Sequence, residues 1–224
     1  MKKFILYWSI YEGIWLVTFC AIAVWITVAS GDSLFGFFVF LSGILCVVLA
    51  AKGSILNYPA GFFNTVGYAW LAWQNGLYGE VIENLFFYLP MLVVGFLMWR
   101  KYIDGSGIVI MRKLLPKAVA LISLACVVVA VALGFILSLI ETQNTPYIDA
   151  ATNVLAVVAT ILMIYRFREQ WVAYITLNVL SIIMWALRIA DGSPDGLLMV
   201  VMWSAYLVNS VYGLYNWTKG AKKA

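Results

Sequence analysis

The sequence predicts an all-α integral membrane protein with eight transmembrane helices, and three observations carry that prediction. Of the 224 residues, 65% are hydrophobic and 11% are charged, against about 45–50% and about 25% in a soluble domain. The apolar residues fall into runs close to the roughly 20 residues a spanning helix needs. Turn-forming polar breaks separate the runs, and basic residues, Arg188 apart, occupy only alternate breaks. Only helices and closed barrels satisfy every backbone polar group in lipid, and long runs without strict alternation are helices.

The expected spans, in order, are residues 10–29, 34–51, 55–73, 81–99, 118–140, 150–165, 172–187 and 197–217. Ser30-Gly31-Asp32 closes the first, Lys52-Gly53-Ser54 the second and Gln74-Asn75-Gly76 the third. Asp104-Gly105-Ser106-Gly107 follows the fourth, Thr142-Gln143-Asn144 the fifth and Asp191-Gly192-Ser193-Pro194 the seventh. Such Gly-, Asn- and Pro-rich breaks are turn signals. No small-residue cleavage site precedes the first long span, so no removed signal peptide is expected.

Charge tests the count. With eight spans, both termini and every even-to-odd loop share one side, which holds all 14 basic residues except Arg188. Asp32, Glu80, Glu83, Glu141, Asp149, Asp191 and Asp195 gather on the other side. Basic loops stay in the cytoplasm, so both termini are expected there, in a bacterial inner membrane. Trp73, Trp99, Tyr102, Trp171 and Trp217 fall at span ends, where an aromatic belt is expected.

Spans two to four resemble spans six to eight. Residues 44–48 align with 154–158 at a shift of 110, Asn64 with Asn178 at 114, and Tyr88, Gly95 and Trp99 with Tyr206, Gly213 and Trp217 at 118. Spans two and six start on the same side, so these are parallel repeats joined by an odd connector. The expected layout is an N-terminal helix (1–33), a three-helix bundle (34–103), a linker with an inversion helix (104–145), a second three-helix bundle (146–218) and a basic tail (219–224). Repeat-built membrane proteins of this type place ligands near mid-depth.

Asn64, Asn178 and Asn209 lie near the middle of their spans. Around them lie Tyr68, Tyr88, Thr176, Ser181, Trp185, Trp203, Ser204, Tyr206 and Tyr212. Tyr174, Asn178, Ser181 and Trp185 share one helical face. Amides and hydroxyls mixed with large rings suit a flat, polar, partly aromatic ligand. The bland alternative, polar residues bonding neighbouring helices, weighs about equally for any one asparagine. Pro59-Ala60-Gly61 is a candidate hinge or a simple packing kink.

The absences are informative too. The chain has no histidine and no acidic or basic residue at expected mid-depth. That disfavours coupling through buried acids and leaves no lysine for a retinal Schiff base. It also leaves no metal cluster and no base beside a serine nucleophile. There is no phosphate-binding loop. Cys20, Cys46 and Cys126 read as small buried hydrophobes. No catalytic residue, cofactor, metal or nucleic-acid partner is expected.

Trp171-x-x-Tyr174-x-x-x-Asn178-x-x-Ser181 resembles the signature of the PnuC vitamin-B transporters. Pro146-Tyr147-Ile148-Asp149, Asn57-Tyr58 with Gly61 and Asn64, Leu77-Tyr78-Gly79 and Phe86-Phe87-Tyr88-Leu89-Pro90 extend the likeness. The resemblance covers residues 43–217. It implies a SWEET-like fold and facilitated diffusion of nicotinamide riboside, with a cytosolic kinase trapping the product. It also implies homotrimeric assembly in the bilayer, with thiamine or riboflavin as the alternative cargo of other branches. It carries substrate contact onto Trp171, Tyr174 and Asn178. Leu92 stands where family members often have an amide. A ligand-free membrane scaffold is the alternative from another class.

Overall fold

The computed structural model describes residues 8–30, 34–74, 78–141, 145–190 and 196–221. Eight helices run through them. These are α1 (Ile10–Ser30), α2 (Leu34–Lys52), α3 (Asn57–Gln74), α4 (Tyr78–Glu83, Asn84–Tyr88 and Leu89–Arg100 in unbroken succession), α5 (Pro116–Ser138), α6 (Pro146–Ile164), α7 (Gln170–Ala190) and α8 (Gly196–Gly220). Five of them, α2, α4, α5, α6 and α7, are long and apolar enough to cross a membrane by length and composition. The chain is an all-α integral membrane protein, as its sequence predicts. The breaks at Ser30-Gly31-Asp32, Gln74-Asn75-Gly76, Thr142-Gln143-Asn144 and Asp191–Pro194 lie largely or wholly outside the described residues.

Local chemistry explains the helix starts. Ser9 and Glu12 form a capping box: Ser9 Oγ accepts from the Glu12 N–H (3.2 Å), and Glu12 Oε2 accepts from the Ser9 N–H (2.8 Å). Proline opens α5 and α6, where its missing N–H is no loss. In α4 the middle segment, Asn84–Tyr88, is a π turn. Pro90 follows directly and cannot donate into the ladder, and its ring crowds the preceding turn. Pro59-Ala60-Gly61, read from the sequence as a candidate hinge or packing kink, lies within regular helix. Pro59 sits in the first turn of α3, which continues regularly to Gln74, and Gly61 lies against Cys46 and Leu92. The irregular backbone is in α4 instead.

The chain forms two compact units. The first comprises Met1–Lys101 with Gly105–Ile108, and the second Tyr102–Asp104 with Val109–Ala224. In the first, α2 packs on α1 and α3, and α3 on α4; in the second, α5 packs on α6, α6 on α7, and α7 on α8. Lys52 Nζ sits 2.9 Å from Glu12 Oε2 and 5.1 Å from the centroid of the Trp8 ring, tying α1 to the end of α2.

The repeat is visible in the backbone, with a corrected register. After α2, Gly53 takes a left-handed conformation (φ 80), with Gly53 N–H bonded to Ala50 O and Ser54 N–H to Leu49 O. After α6, Arg166 does the same (φ 64), with Arg166 N–H bonded to Met163 O and Phe167 N–H to Leu162 O. Both are Schellman closures. The next helix then starts alike: Asn57 N–H to Ser54 O and Tyr58 N–H to Ile55 O, against Gln170 N–H to Phe167 O and Trp171 N–H to Arg168 O. Every pair is related by a shift of 113. Neither the 110 nor the 114 read from the sequence survives, so Thr65, not Asn64, is the counterpart of Asn178. Side-chain similarity set the sequence alignment, whereas the turn geometry fixes the structural one.

Arg166 occupies a left-handed position that normally favours glycine, and its side chain is engaged. Its guanidinium lies 3.6 Å from the Tyr102 ring centroid and Nη1 donates to Ile110 O at 3.1 Å. Bonds from Arg112 N–H to Arg166 O and from Arg168 N–H to Arg112 O clamp the connector onto this loop. Burial and the neighbouring Arg112 hold the guanidinium below its usual pKa, with Tyr102 opposing them.

Candidate functional site

In the second unit, α7 and α8 pack antiparallel. Trp171 meets Trp217 edge-on at 6.2 Å and Asn178 meets Ser210, and the residue numbers of each pair add to the same total. Gly213 makes the approach possible: a Cβ there would sit 2.6 Å from the Trp171 ring. Asn178 Nδ2 donates to Ser210 Oγ at 3.0 Å, with both residues buried. Ser181, one turn further along α7, is buried as well, as is Asn209. The ring of Tyr174 tilts against Trp171 at 5.8 Å, and Trp203 meets Tyr206 edge-on at 5.8 Å. The structure therefore gathers Trp171, Tyr174, Asn178 and Ser181 with α8. Trp185, higher on α7, instead carries the Arg188 guanidinium 4.6 Å above its ring.

The remaining candidates divide differently. Asn64 Nδ2 donates to Val39 O at 2.9 Å and fits beside Gly43, so this amide bonds α3 to α2. Tyr68 is exposed, and Tyr88 closes the π turn half-buried. Thr176 and Ser204 donate to carbonyls of their own helices, Val172 O and Val200 O. Of the rings expected in an aromatic belt, Trp73 and Tyr102 are exposed, whereas Trp99, Trp171 and Trp217 are buried inside their units and have no surface to offer a membrane interface. Span-end position indicates depth but not which side of the helix a ring faces.

Sequence reasoning missed Ser210; Asn57 and its counterpart Gln170 are also almost wholly buried. The antiparallel register of α7 and α8, taken with Asn178, is the signal that would have found Ser210. A groove of about 350 Å³ along α5, α6 and α7 is lined mainly by apolar side chains such as Val119, Ile122, Val154 and Leu180, with Thr176 on its wall but none of Trp171, Tyr174, Asn178 or Ser181. Among the described residues no cluster of histidine, cysteine or acidic side chains could hold a metal ion. The Asn178 region is thus a neutral, ring-walled polar patch inside an apolar bundle, suited to a ligand without strong charge.

A family model described as nicotinamide mononucleotide transporter matches residues 33–219. The chain belongs to this family. Similar members include the nicotinamide riboside transporter PnuC of Haemophilus influenzae, 37% identical over 99% of this chain and 96% of that protein. The nicotinamide riboside transporter PnuC of Neisseria mucosa is 36% identical over 96% of this chain and 84% of that protein. The crystal structure of the vitamin B3 transporter PnuC superposes with a TM-score of 0.76 at 37% identity, covering 96% of this chain and 94% of that one. The resemblance carried by Trp171, Tyr174, Asn178 and Ser181 is therefore one of family membership. The chain is a multi-pass membrane protein of a transporter family.

Proposed function

We propose that this chain carries nicotinamide riboside into the bacterial cytoplasm by facilitated diffusion, with a cytosolic kinase trapping the product by phosphorylation. The observation that carries the reading is the buried Asn178–Ser210 pair beside the rings of Trp171 and Tyr174, in a chain similar over most of its length to proteins named as nicotinamide riboside transporters. The ten candidate residues are all uncharged: Asn64, Tyr68, Tyr88, Trp171, Tyr174, Asn178, Ser181, Trp185, Tyr206 and Asn209. A phosphate monoester calls for cationic hydrogen-bond donors. Neutral walls therefore favour the riboside over the mononucleotide in the family model's description, and the rings accommodate a pyridinium face. With no acid among these candidate residues, uniport is favoured over proton symport. Both termini face the cytoplasm on the basic-loop argument, and a homotrimer is the assembly the family resemblance implies.

The test is uptake into proteoliposomes. Nicotinamide riboside should equilibrate without an ion gradient and accumulate only when a riboside kinase and ATP are enclosed. Accumulation that needs a proton or sodium gradient would replace uniport with symport. Saturable binding of thiamine or riboflavin in place of the riboside would move the cargo to those vitamins. A folded protein that binds none of the three would favour a scaffold role.

A further inference from the structure

We propose that the groove along α5, α6 and α7 binds one anionic phospholipid. Its phosphate sits at Arg112 and Arg168, and one acyl chain lies in the groove. On α5 the wall is formed by Val119, Ile122, Cys126 and Ala130, at spacings that keep them on one helical face. From Val119 to Ala130 this face runs about 16 Å, roughly half of the ~30 Å hydrocarbon core. The groove therefore reaches from one membrane surface to about mid-depth, which is the reach of a single leaflet. The Thr176 hydroxyl on the wall donates to Val172 O of its own helix, so the wall suits methylenes. A volume of about 350 Å³ over that length leaves a cross-section of about 20 Å². A helix about 10 Å across needs roughly 80 Å². A helix of a second copy would bridge the groove rather than fill it, whereas a methylene chain fits inside.

Charge decides which lipid. Leu114 and Glu169 line the mouth of the groove. There Leu114 N–H donates to Glu169 Oε2 at 3.1 Å, and Arg168 Nε donates to Glu169 Oε1 at 3.0 Å. Both carboxylate oxygens are thereby engaged. Arg112, Lys113, Arg166 and Arg168 stand in the segments that form this mouth, so cations outnumber the acid. Arg112 is exposed, and its guanidinium lies 4.5 Å over the Phe167 ring. Among the described residues no carboxylate or hydroxyl bonds that guanidinium, so its N–H donors are open to a phosphate. Arg166 is buried and held by Tyr102 and Ile110 O, and it adds to the positive field behind Arg112. α5 opens at Pro116 without a side-chain cap, and its first-turn amides favour an anion as well. Basic pockets between helices at a membrane surface select anionic headgroups. On the basic-loop argument that surface is the cytoplasmic one.

The experiment is native mass spectrometry of the purified full-length protein in detergent. It is titrated with phosphatidylglycerol and with phosphatidylcholine of the same acyl chains. Unmodified protein should hold phosphatidylglycerol at a saturable site, about fivefold or more tighter than phosphatidylcholine, the size of one basic residue at a lipid headgroup. Arg112→Gln should lose most of that preference by weakening phosphatidylglycerol alone, and Arg112→Lys should recover part of it. Lys117→Gln removes an equal charge, but Lys117 lies two residues before Val119 and so on the opposite side of α5; it should keep the preference. Ser123→Trp fills the groove from an exposed position on its wall and should weaken both lipids alike. Equal binding of the two lipids by unmodified protein, or an unchanged preference in Arg112→Gln, would overturn the proposal. So would a Lys117→Gln protein as impaired as Arg112→Gln, which would reduce the effect to general surface charge. If Ser123→Trp keeps its lipid but changes the oligomeric mass, the groove is a contact between copies and the lipid site fails. Should Ser123→Trp melt early, the comparison of Arg112→Gln with Lys117→Gln decides.

Discussion

Gly213→Ala should be among the most damaging single-methyl changes in the second unit. A Cβ at this position would lie 2.6 Å from two atoms of the Trp171 ring and 2.7 Å from a third, well inside van der Waals contact. The ring has nowhere to go, because Trp171 is 4% exposed and the wholly buried Trp217 stands edge-on to it at 6.2 Å. Overpacking of this sort costs about 1–3 kcal/mol. If α8 moves away to make room, the 3.0 Å bond from Asn178 to Ser210 stretches, adding about 1 kcal/mol. The combined loss of about 2–4 kcal/mol corresponds to a fall in melting temperature of roughly 4–16 °C for a chain of this size. The assay is a thermal melt of purified protein, alongside riboside binding. A double-mutant cycle with Trp171→Phe isolates the cause: the smaller ring should restore part of the loss, with a coupling of about 1–2 kcal/mol. A Gly213→Ala protein that melts like the unmodified one, or a cycle with no coupling, would refute the packing argument.

Gly95→Ala, whose Cβ would meet the Tyr58 ring at 2.5 Å, should lose comparable stability while the Asn178–Ser210 bond stays intact, so a melt should fall further than riboside affinity does. Glu12→Gln removes the partner of Lys52 and should lower stability by about 1–3 kcal/mol, seen in a melt. Arg166→Gly should relieve about 1 kcal/mol of left-handed backbone cost but release Tyr102 and Ile110 O, leaving a small net loss and faster proteolysis of the connector. Arg166→Lys, which keeps the strain and loses the flat guanidinium contact, should be worse than Arg166→Gly. Uptake should be flat between about pH 6 and 8, because no candidate residue titrates there; a clear pH optimum in proteoliposomes would count against the uncharged site.

Much of this architecture is legible in the sequence because lipid imposes coarse, strong rules. Span positions come out within a few residues, since apolar runs and turn residues mark depth directly; residues 34–51 became Leu34–Lys52, and residues 10–29 became Ile10–Ser30. Lateral facing does not come out as well. Trp99 and Trp217 look like interface anchors by position and are fully buried. In lipid an apolar ring gains little from either side of its helix, so composition carries no sign of the choice. The asparagines show the same limit. Asn64 and Asn178 look alike in sequence, yet one bonds a backbone carbonyl of α2 and the other a serine of α8. Only the neighbouring helix distinguishes them.

The corrected register changes what the repeat means for the site. Both units keep the same construction at the same places: a left-handed closure at Gly53 and Arg166, an aromatic at Tyr58 and Trp171, a glycine at Gly95 and Gly213 that admits it, and a buried tryptophan at Trp99 and Trp217. These are requirements of close helix packing, which each bundle must meet separately. The polar pair is not repeated, since Thr65 and Leu92 stand where Asn178 and Ser210 do. Packing constraint therefore accounts for the symmetric residues and leaves the asymmetric ones to be explained by something that is not symmetric. A riboside with a charged aromatic ring at one end and a sugar at the other is such a thing. A scaffold with no ligand would have no use for placing a buried amide–hydroxyl pair in one bundle only.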